Sequence, residues 1–303
     1  MHAWSCRQGA RVPGVPKCPR PVCRPGAGAG LAGIDEGLIM LQTLEIEHKP
    51  QAAVVWLSRP DVRNALDAQM VSELTEAYTA LGNDSQVRAI VLAARGIAFC
   101  SGSDESWIRR GVQAGEAAIE AGAQACSAML EAIYRCPKPT IVRLHGACMG
   151  LGMGLASACD IAIASAQATF ALPETRLGLT PSIIAPYVLR AMSARDATRW
   201  FLTGETFSAA EAWRIGFVHG LSEPDSLDMR IAALVDTFML TAPDAVAATK
   251  MLVHDLPARE HGAAASDDAM ARNVMPPRGK PGSEGDTGLG GRGSTWISGM
   301  LGA

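Results

Sequence analysis

The stretch that most limits what this chain can fold into lies between Thr140 and Asp160. An apolar run, Thr140 to Leu144, leads into His145-Gly146-Ala147-Cys148-Met149-Gly150-Leu151-Gly152-Met153-Gly154, with four glycines between positions 146 and 154. Leu155-Ala156-Ser157-Ala158-Cys159-Asp160 then continues as an apolar segment able to wind as a helix. The order is strand, glycine loop, helix. Glycines let the backbone turn tightly and let a ligand approach, and the first turn of the following helix offers unpaired N–H groups at the positive end of its dipole. An oxyanion would be stabilised there. The same glycines would also serve a plainer purpose, letting a helix pack closely on a sheet.

The 303 residues suffice for one large domain or two small ones. Hydrophobic residues at 48% and charged residues at 19% describe a soluble globular chain, and no apolar run reaches the length of a membrane span. A formal net charge of -3 provides no basic field, so neither nucleic acid nor a membrane is an expected partner. Among the eight cysteines there is no CxxC pair and no Cys/His spacing of the zinc type. Cys100, Cys126, Cys136, Cys148 and Cys159 sit in or beside apolar stretches, as buried reduced thiols of a cytoplasmic protein would. Neither a disulfide nor a metal is expected.

Residues 1–39 are rich in proline and basic side chains, lack periodicity, and read as a disordered extension or as a start placed too early, with Met40 the alternative start. Residues 41–47 and 52–58 read as two strands joined by a turn at His48-Lys49-Pro50. Asp67 can cap a helix that carries Met70, Val71, Leu74, Ala77, Tyr78 and Leu81 on one face. Residues 88–94 form a buried strand, followed by the small-residue loop Phe99-Cys100-Ser101-Gly102-Ser103-Asp104. A helix over Glu116–Tyr134 is stopped by Pro137 and Pro139. A short strand over 161–164 follows the glycine helix. Strands alternating with helices predict an α/β fold with βαβ units and a mostly parallel sheet. Helices are expected at about 182–192, 194–202, 209–215, 229–241 and 245–256. Beyond His261 the pattern collapses into Pro/Gly-rich sequence that cannot bury a core.

Two glycine-containing loops therefore each follow a strand. If they lie side by side, the N–H groups of Ser103 and Leu151 converge on one carbonyl oxygen, the geometry that stabilises a developing enolate. Such chemistry needs a proton carrier. Glu174, between the last strand and the helical half, would have its pKa raised beside an apolar wall, whereas an exposed loop glutamate is the plainer reading. Asp160 reads as structural, and His145 as a hydrogen-bonded histidine near a strand end.

Together, Leu57-Ser58-Arg59-Pro60 with Asn64-Ala65-Leu66, the 99–104 loop, His145-Gly146 through Asp160-Ile161-Ala162, Phe170 to Gly178, and Thr203-Gly204 with Ala209-Ala210-Glu211-Ala212 and Ile215-Gly216 resemble the enoyl-CoA hydratase/isomerase (crotonase) superfamily. The resemblance covers about residues 41–256. It implies a ββα superhelix core over 41–192 and a helical C-terminal region over 193–256. It implies oxyanion-hole N–H donors at Ser103 and Leu151, and a catalytic carboxylate at Glu174. The substrate would be an acyl-CoA thioester whose CoA part runs past Val62, Arg63, Ser101, Asp104 and Glu105, with Gly150 also among the contacting residues. No cofactor is implied beyond the CoA carried by the substrate, and the assembly implied is a homo-trimer or a dimer of trimers.

The family's first catalytic glutamate has no counterpart, because Gly154 stands at its position. One carboxylate would then either activate water and return the proton to the α-carbon, as a hydratase, or shuttle a proton, as an isomerase. A degenerate, non-catalytic binding protein is the remaining alternative. The 99–104 loop with Trp107, Arg109 and Arg110, Gly154-Leu155, and Pro181-Ser182-Ile183-Ile184-Ala185-Pro186-Tyr187-Val188 look similar to bacterial methylglutaconyl-CoA and isohexenylglutaconyl-CoA hydratases of leucine and terpene breakdown. That likeness implies a branched or carboxylated 2-enoyl-CoA, with Arg109 or Arg110 facing the second carboxylate. Residues 273–303 depart from the family pattern as an atypical Gly/Pro-rich tail.

Overall fold

The run Ala-Ile-Val-Leu-Ala-Ala at 89–94 is buried at all six positions, as a strand covered on both faces must be. The rest of the chain winds around it. The computed structural model describes residues 37–50 and 52–261, beginning with β1 (Leu38–Met40) and β2 (Leu44–Lys49), which pair antiparallel. β2 pairs in turn with β3 (Ala52–Leu57), Leu44 opposite Leu57 and Lys49 opposite Ala52, which is the expected hairpin. Then come α1 (Ala68–Asn83), β4 (Ala89–Ala94), α2 (Glu105–Ala114), α3 (Glu116–Tyr134), β5 (Thr140–Leu144), β6 (Ala147–Met149), α4 (Leu151–Ala158), β7 (Ile161–Ser165) and β8 (Thr169–Ala171). The remainder is α5 (Ala185–Ala191), α6 (Ala194–Thr203), β9 (Thr206–Ser208), α7 (Ala209–Arg214), β10 (Gly220–Ser222), α8 (Leu227–Met239) and α9 (Pro243–His261). No single helix among the described residues is long and apolar enough to cross a membrane.

The main sheet runs β1-β2-β3-β4-β5-β7-β10 and is parallel from β3 onward. A second sheet runs β6-β8-β9. α1 forms as its sequence dictates. Asp67 accepts the Met70 N–H at 2.9 Å, and Met70, Val71, Leu74, Ala77, Tyr78 and Leu81 are all buried, each such side chain contributing roughly 1.5–3 kcal/mol for the larger ones. Glu73, on the same buried face, receives the N–H of Gln42 and Thr43 and the Thr43 hydroxyl, and so fastens the start of β2 to α1. α3 presents Cys126, Met129, Leu130 and Ile133 inward. On the opposite face, Leu227 and Ile231 of α8 pack with Val91, Ile141 and Ile163.

Asp160 is structural, as expected. Its Oδ2 accepts the Thr140 N–H and hydroxyl, both at 2.8 Å, and pairs with Lys250 at 2.7 Å, which ties α9 to the β5–β7 seam. His145 bridges Arg143 and the Gly96 carbonyl. Five cysteines, at 100, 126, 136, 148 and 159, are buried and unpaired.

Three expectations need correction. The extension assigned to 1–39 loses its last two residues to β1, since Leu38 and Ile39 complete the edge of β2; a three-residue apolar run beside Pro/Gly-rich sequence shows no alternation to read. The part of that extension before residue 37, and the 273–303 tail, lie outside the described residues. The region read as helical over 193–256 also holds strands, β9 in one sheet and β10 in the other. Finally, α2 was not foreseen. Only one side of it is apolar and none of its residues is fully buried, so its stripe is weaker than that of a core helix.

Candidate active site

The loop after β4 and the loop after β5 are held together by their backbones. Phe99 N–H donates to the His145 carbonyl at 2.9 Å, Cys100 N–H to Ala147 at 3.0 Å, and Met149 N–H to Cys100 at 2.9 Å. This parallel bridge between Cys100 and Cys148 brings together the two glycine loops, as the reading of the sequence required. On its other side, the first loop bridges to Leu66. Leu66 N–H donates to Gly102 at 2.8 Å and Asp104 N–H to Leu66 at 2.7 Å. Because successive backbone groups in a strand point to alternate sides, the Ser103 N–H between them points away from Leu66. That is the side of the second loop, where a Cβ on Gly102 would stand 3.9 Å from Leu151 N.

Leu151 opens α4 and thus carries one of the N–H groups that a helix leaves without an internal partner. Gly150 before it has φ 50° and ψ -120°, a conformation open to glycine and costly for other residues. The Ser103 and Leu151 N–H groups thus belong to two neighbouring loops, each supplied by backbone.

Glu174 begins a short 3-10 turn, Glu174–Leu177, just after β8. β8 pairs with β6, and Gly150 N–H donates to Ala171 at 2.9 Å. The carboxylate is thereby delivered against the second loop: a Cβ at Gly150 would lie 2.9 Å from Glu174 Oε1. Glu174 Oε2 is buried and has no hydrogen-bond partner. Burial pushes the carboxyl up to about 7, so both protonation states are accessible near neutral pH. An exposed loop glutamate would show none of these features.

The position of the family's first glutamate is not merely vacant of a carboxylate. A Cβ on Gly154 would meet Ile184 Cγ2 at 2.5 Å and Leu130 Cδ1 at 3.6 Å, and Ile184 is 3% exposed. Ile184 fills the niche with hydrocarbon. The sequence located Gly154 but not its occupant, since Ile184 lies thirty residues downstream, at the cap of α5, and no spacing links the two.

The residues expected along the CoA path divide. Val62, Arg63 and Ser101 are gathered at one edge, with Ser101 N–H donating to Arg63 at 3.0 Å and its hydroxyl to Val62 at 3.4 Å. Asp104 turns inward instead. Its Oδ1 accepts the N–H groups of Ser106 and Trp107 and so caps α2, and its Oδ2 pairs with Arg59 at 3.1 Å; hydrogen bonds and the cation hold its carboxyl below the usual range against burial. Its carboxylate thus anchors the start of α2 and the end of the first loop. Glu105 and Arg109 pair with each other on the exposed side of α2, Arg109 at 66% exposure.

A cavity of ≈ 200 Å³ opens at Ser103 and extends between α2 and α3. Trp107, Ile108 and Val112 wall it from one helix, Ile119 and Cys126 from the other. Neither Arg109 nor Arg110 lines it; Arg110 donates to the Ser106 hydroxyl. On α2 the lining positions are Trp107, Ile108, Gly111 and Val112. Among the described residues, no group of three or more His, Cys, Asp or Glu side chains is arranged to hold a metal.

Residues 47–275 match the family model described as enoyl-CoA hydratase/isomerase. (E)-Benzylidenesuccinyl-CoA hydratase of Thauera aromatica is 32% identical over 73% of this chain and 85% of its own length. The structure of an enoyl-CoA hydratase from Shewanella pealeana superposes with a TM-score of 0.70 at 31% identity, covering 77% of this chain and 88% of that one. Pseudomonas aeruginosa AtuE does so with a TM-score of 0.70 at 37% identity, covering 76% and 89%. With the two oxyanion loops and the buried carboxylate in the arrangement described, the chain belongs to the enoyl-CoA hydratase/isomerase (crotonase) family.

Proposed function

We propose that this chain adds water across the 2,3 double bond of a branched 2-enoyl-CoA, with Glu174 as its one side-chain acid and base. The observation that carries this is the buried carboxylate of Glu174, unpartnered at Oε2 and raised to about 7, beside the loop that presents Leu151 N–H. The thioester carbonyl accepts the N–H groups of Ser103 and Leu151. Their dipoles draw electrons toward the oxygen, and the β-carbon becomes electrophilic. The Glu174 carboxylate removes a proton from water as the water oxygen bonds to the β-carbon. The π electrons pass to an enolate held by the same two donors, and the proton on Glu174 then goes to the α-carbon. A carboxyl near neutrality serves both halves, which a strongly acidic one would not.

Support for a branched chain comes from the apolar cavity. A carboxylate at the far end of the acyl group finds no support there, since no charged side chain lines it and an unpaired buried carboxylate is costly. Val62, Arg63 and Ser101 are the residues available to the CoA part.

One observation favours a second reading. Ile184 in the niche beside Gly154 removes any polar anchor for the attacking water on that side, and an isomerase needs no such water. Incubation with a 2-enoyl-CoA in heavy-oxygen water separates the two. A hydratase incorporates label at the β-carbon; label-free product in which the double bond has moved to the 3,4 position identifies an isomerase.

A further inference from the structure

Two glycines on facing helices have no conformational reason to be glycine. Gly111 in α2 and Gly122 in α3 lie within helices, and neither is among the glycines with positive φ. Nor does crowding require them. A Cβ on Gly111 would meet Ile119 Cγ1 at 4.0 Å, and one on Gly122 would meet Trp107 Cζ2 at 3.5 Å, both ordinary contacts. Glycine weakens a helix interior relative to alanine, so both positions forgo stability that a methyl group would supply without strain.

What they share is the cavity. Both line it, and a side chain at either would project into it. Next to Gly122 the lining of α3 is Ala118, Ile119, Ala123 and Cys126, so apart from Ile119 the far wall is made of small groups. Ser103 belongs both to this lining and to the oxyanion pair. Whatever acyl group hangs from a thioester carbonyl held by Ser103 N–H therefore has this space within reach.

We infer that Gly111 and Gly122 set the size of the acyl group, and that the group is bulky, branched and uncharged. The inference rests on the acyl-CoA reading of the site but not on which reaction occurs there. An apolar cavity of about 150 Å³ accommodates benzene, so the ≈ 200 Å³ here admits a larger group. A two-carbon extension beyond the double bond leaves most of it unfilled. Leu179 and Ile183 close the side near Glu174, and Thr180 is the one hydroxyl-bearing residue in the lining besides Ser103. A carboxylate or ammonium group on the acyl end would have no ionic partner. Trp107 packs against the core, and the rest of the α2 stripe, Ile108 and Val112, is left to the acyl chain.

The test compares wild type with Gly122→Ala, Gly122→Leu and Gly111→Leu. Dissociation constants are measured for saturated butyryl-, 5-methylhexanoyl- and decanoyl-CoA, alongside kcat/KM for the corresponding 2-enoyl esters. Wild type should bind 5-methylhexanoyl-CoA at least tenfold tighter than butyryl-CoA, and either leucine variant should shrink that ratio to about threefold or less, in line with the worth of a few buried methylene groups. Gly122→Ala, which favours the helix, should raise the melting temperature while lowering the ratio. Equal affinity of wild type for short and branched esters, or leucine variants that keep the wild-type ratio, overturns the inference. A leucine variant that fails to fold leaves the alanine variant to decide by the same two readouts. Because binding of saturated esters needs no turnover, an enzyme that leaves every 2-enoyl ester unchanged refutes the hydratase reading while the binding ratios still judge the role of the glycines.

Discussion

Glu174 Oε1 rests against the backbone of Gly150, at 2.9 Å from the point where a Cβ would stand. The residue that ends one oxyanion loop is thus also the floor under the carboxylate. Glycine is required there twice, by its φ of 50° and by the carboxylate above it.

Gly150→Ala should therefore damage catalysis more than folding. A backbone at φ 50° and ψ -120° costs an alanine about 1–3 kcal/mol, while the methyl group pushes Glu174 away from its place beside the loop. A displacement of about 1 Å at a reacting group can cost about a hundredfold in rate. We expect kcat to fall about a hundredfold with a melting temperature only a few degrees lower, measured on the same preparation by steady-state kinetics and thermal denaturation. A drop in stability with kcat preserved would show that Glu174 does not depend on this floor.

Glu174→Gln should abolish most turnover and yet stabilise the protein at alkaline pH. The carboxyl is raised from 4.5 to about 7 in the folded protein, so the unfolded chain ionises first as pH rises. The stability linked to this group is complete below 4.5 and is lost as pH climbs through 7. The full difference is about 3 kcal/mol. Denaturant titrations at acidic and alkaline pH should show the variant close to wild type in acid and more stable in base. In wild type, kcat/KM for hydration should rise as pH passes through the neutral range, since the carboxylate form takes the proton from water. A flat profile would remove Glu174 from the role of base.

Gly154→Glu, which restores the carboxylate typical of the family, should not produce a two-carboxylate enzyme. Its side chain would collide with Ile184, and overpacking of this kind costs about 1–3 kcal/mol before the burial of a charge is added. The double variant Gly154→Glu with Ile184→Ala should recover part of that stability, a non-additive coupling of about 0.5–3 kcal/mol. Denaturant midpoints for the two single variants and the double variant check it; strictly additive effects would mean that Ile184 does not occupy the niche.

Much of this fold was legible where one signal dominated. The cap at Asp67 and the stripe from Met70 to Leu81 announced α1, and the wholly apolar β4 announced a strand covered on both sides. The pairing of the two glycine loops was legible because each followed a strand of one parallel sheet. β6, β8, β9 and β10 were not, since three residues are too few to show a period of two. The opposite fates of Asp104 and Val62 were equally hidden: which way a loop carboxylate points depends on Arg59, forty-five residues away and unmarked by any spacing. Ile184 could not be paired with Gly154 from sequence, because a missing side chain says nothing of what replaces it.

The bond from Gly150 N–H to the Ala171 carbonyl ties the residue before Leu151 to the strand that ends three residues ahead of Glu174, and so links the two groups proposed to act on the thioester. Their separation is fixed by peptide geometry and is insensitive to the side chains that line the acyl space. The cavity that α2 and α3 shape opens at Ser103, in the neighbouring loop. Such a division lets substrate range drift by substitutions in α2 and α3 while the chemical step is inherited intact, so a lineage built on this plan can explore new thioesters without having to rediscover catalysis.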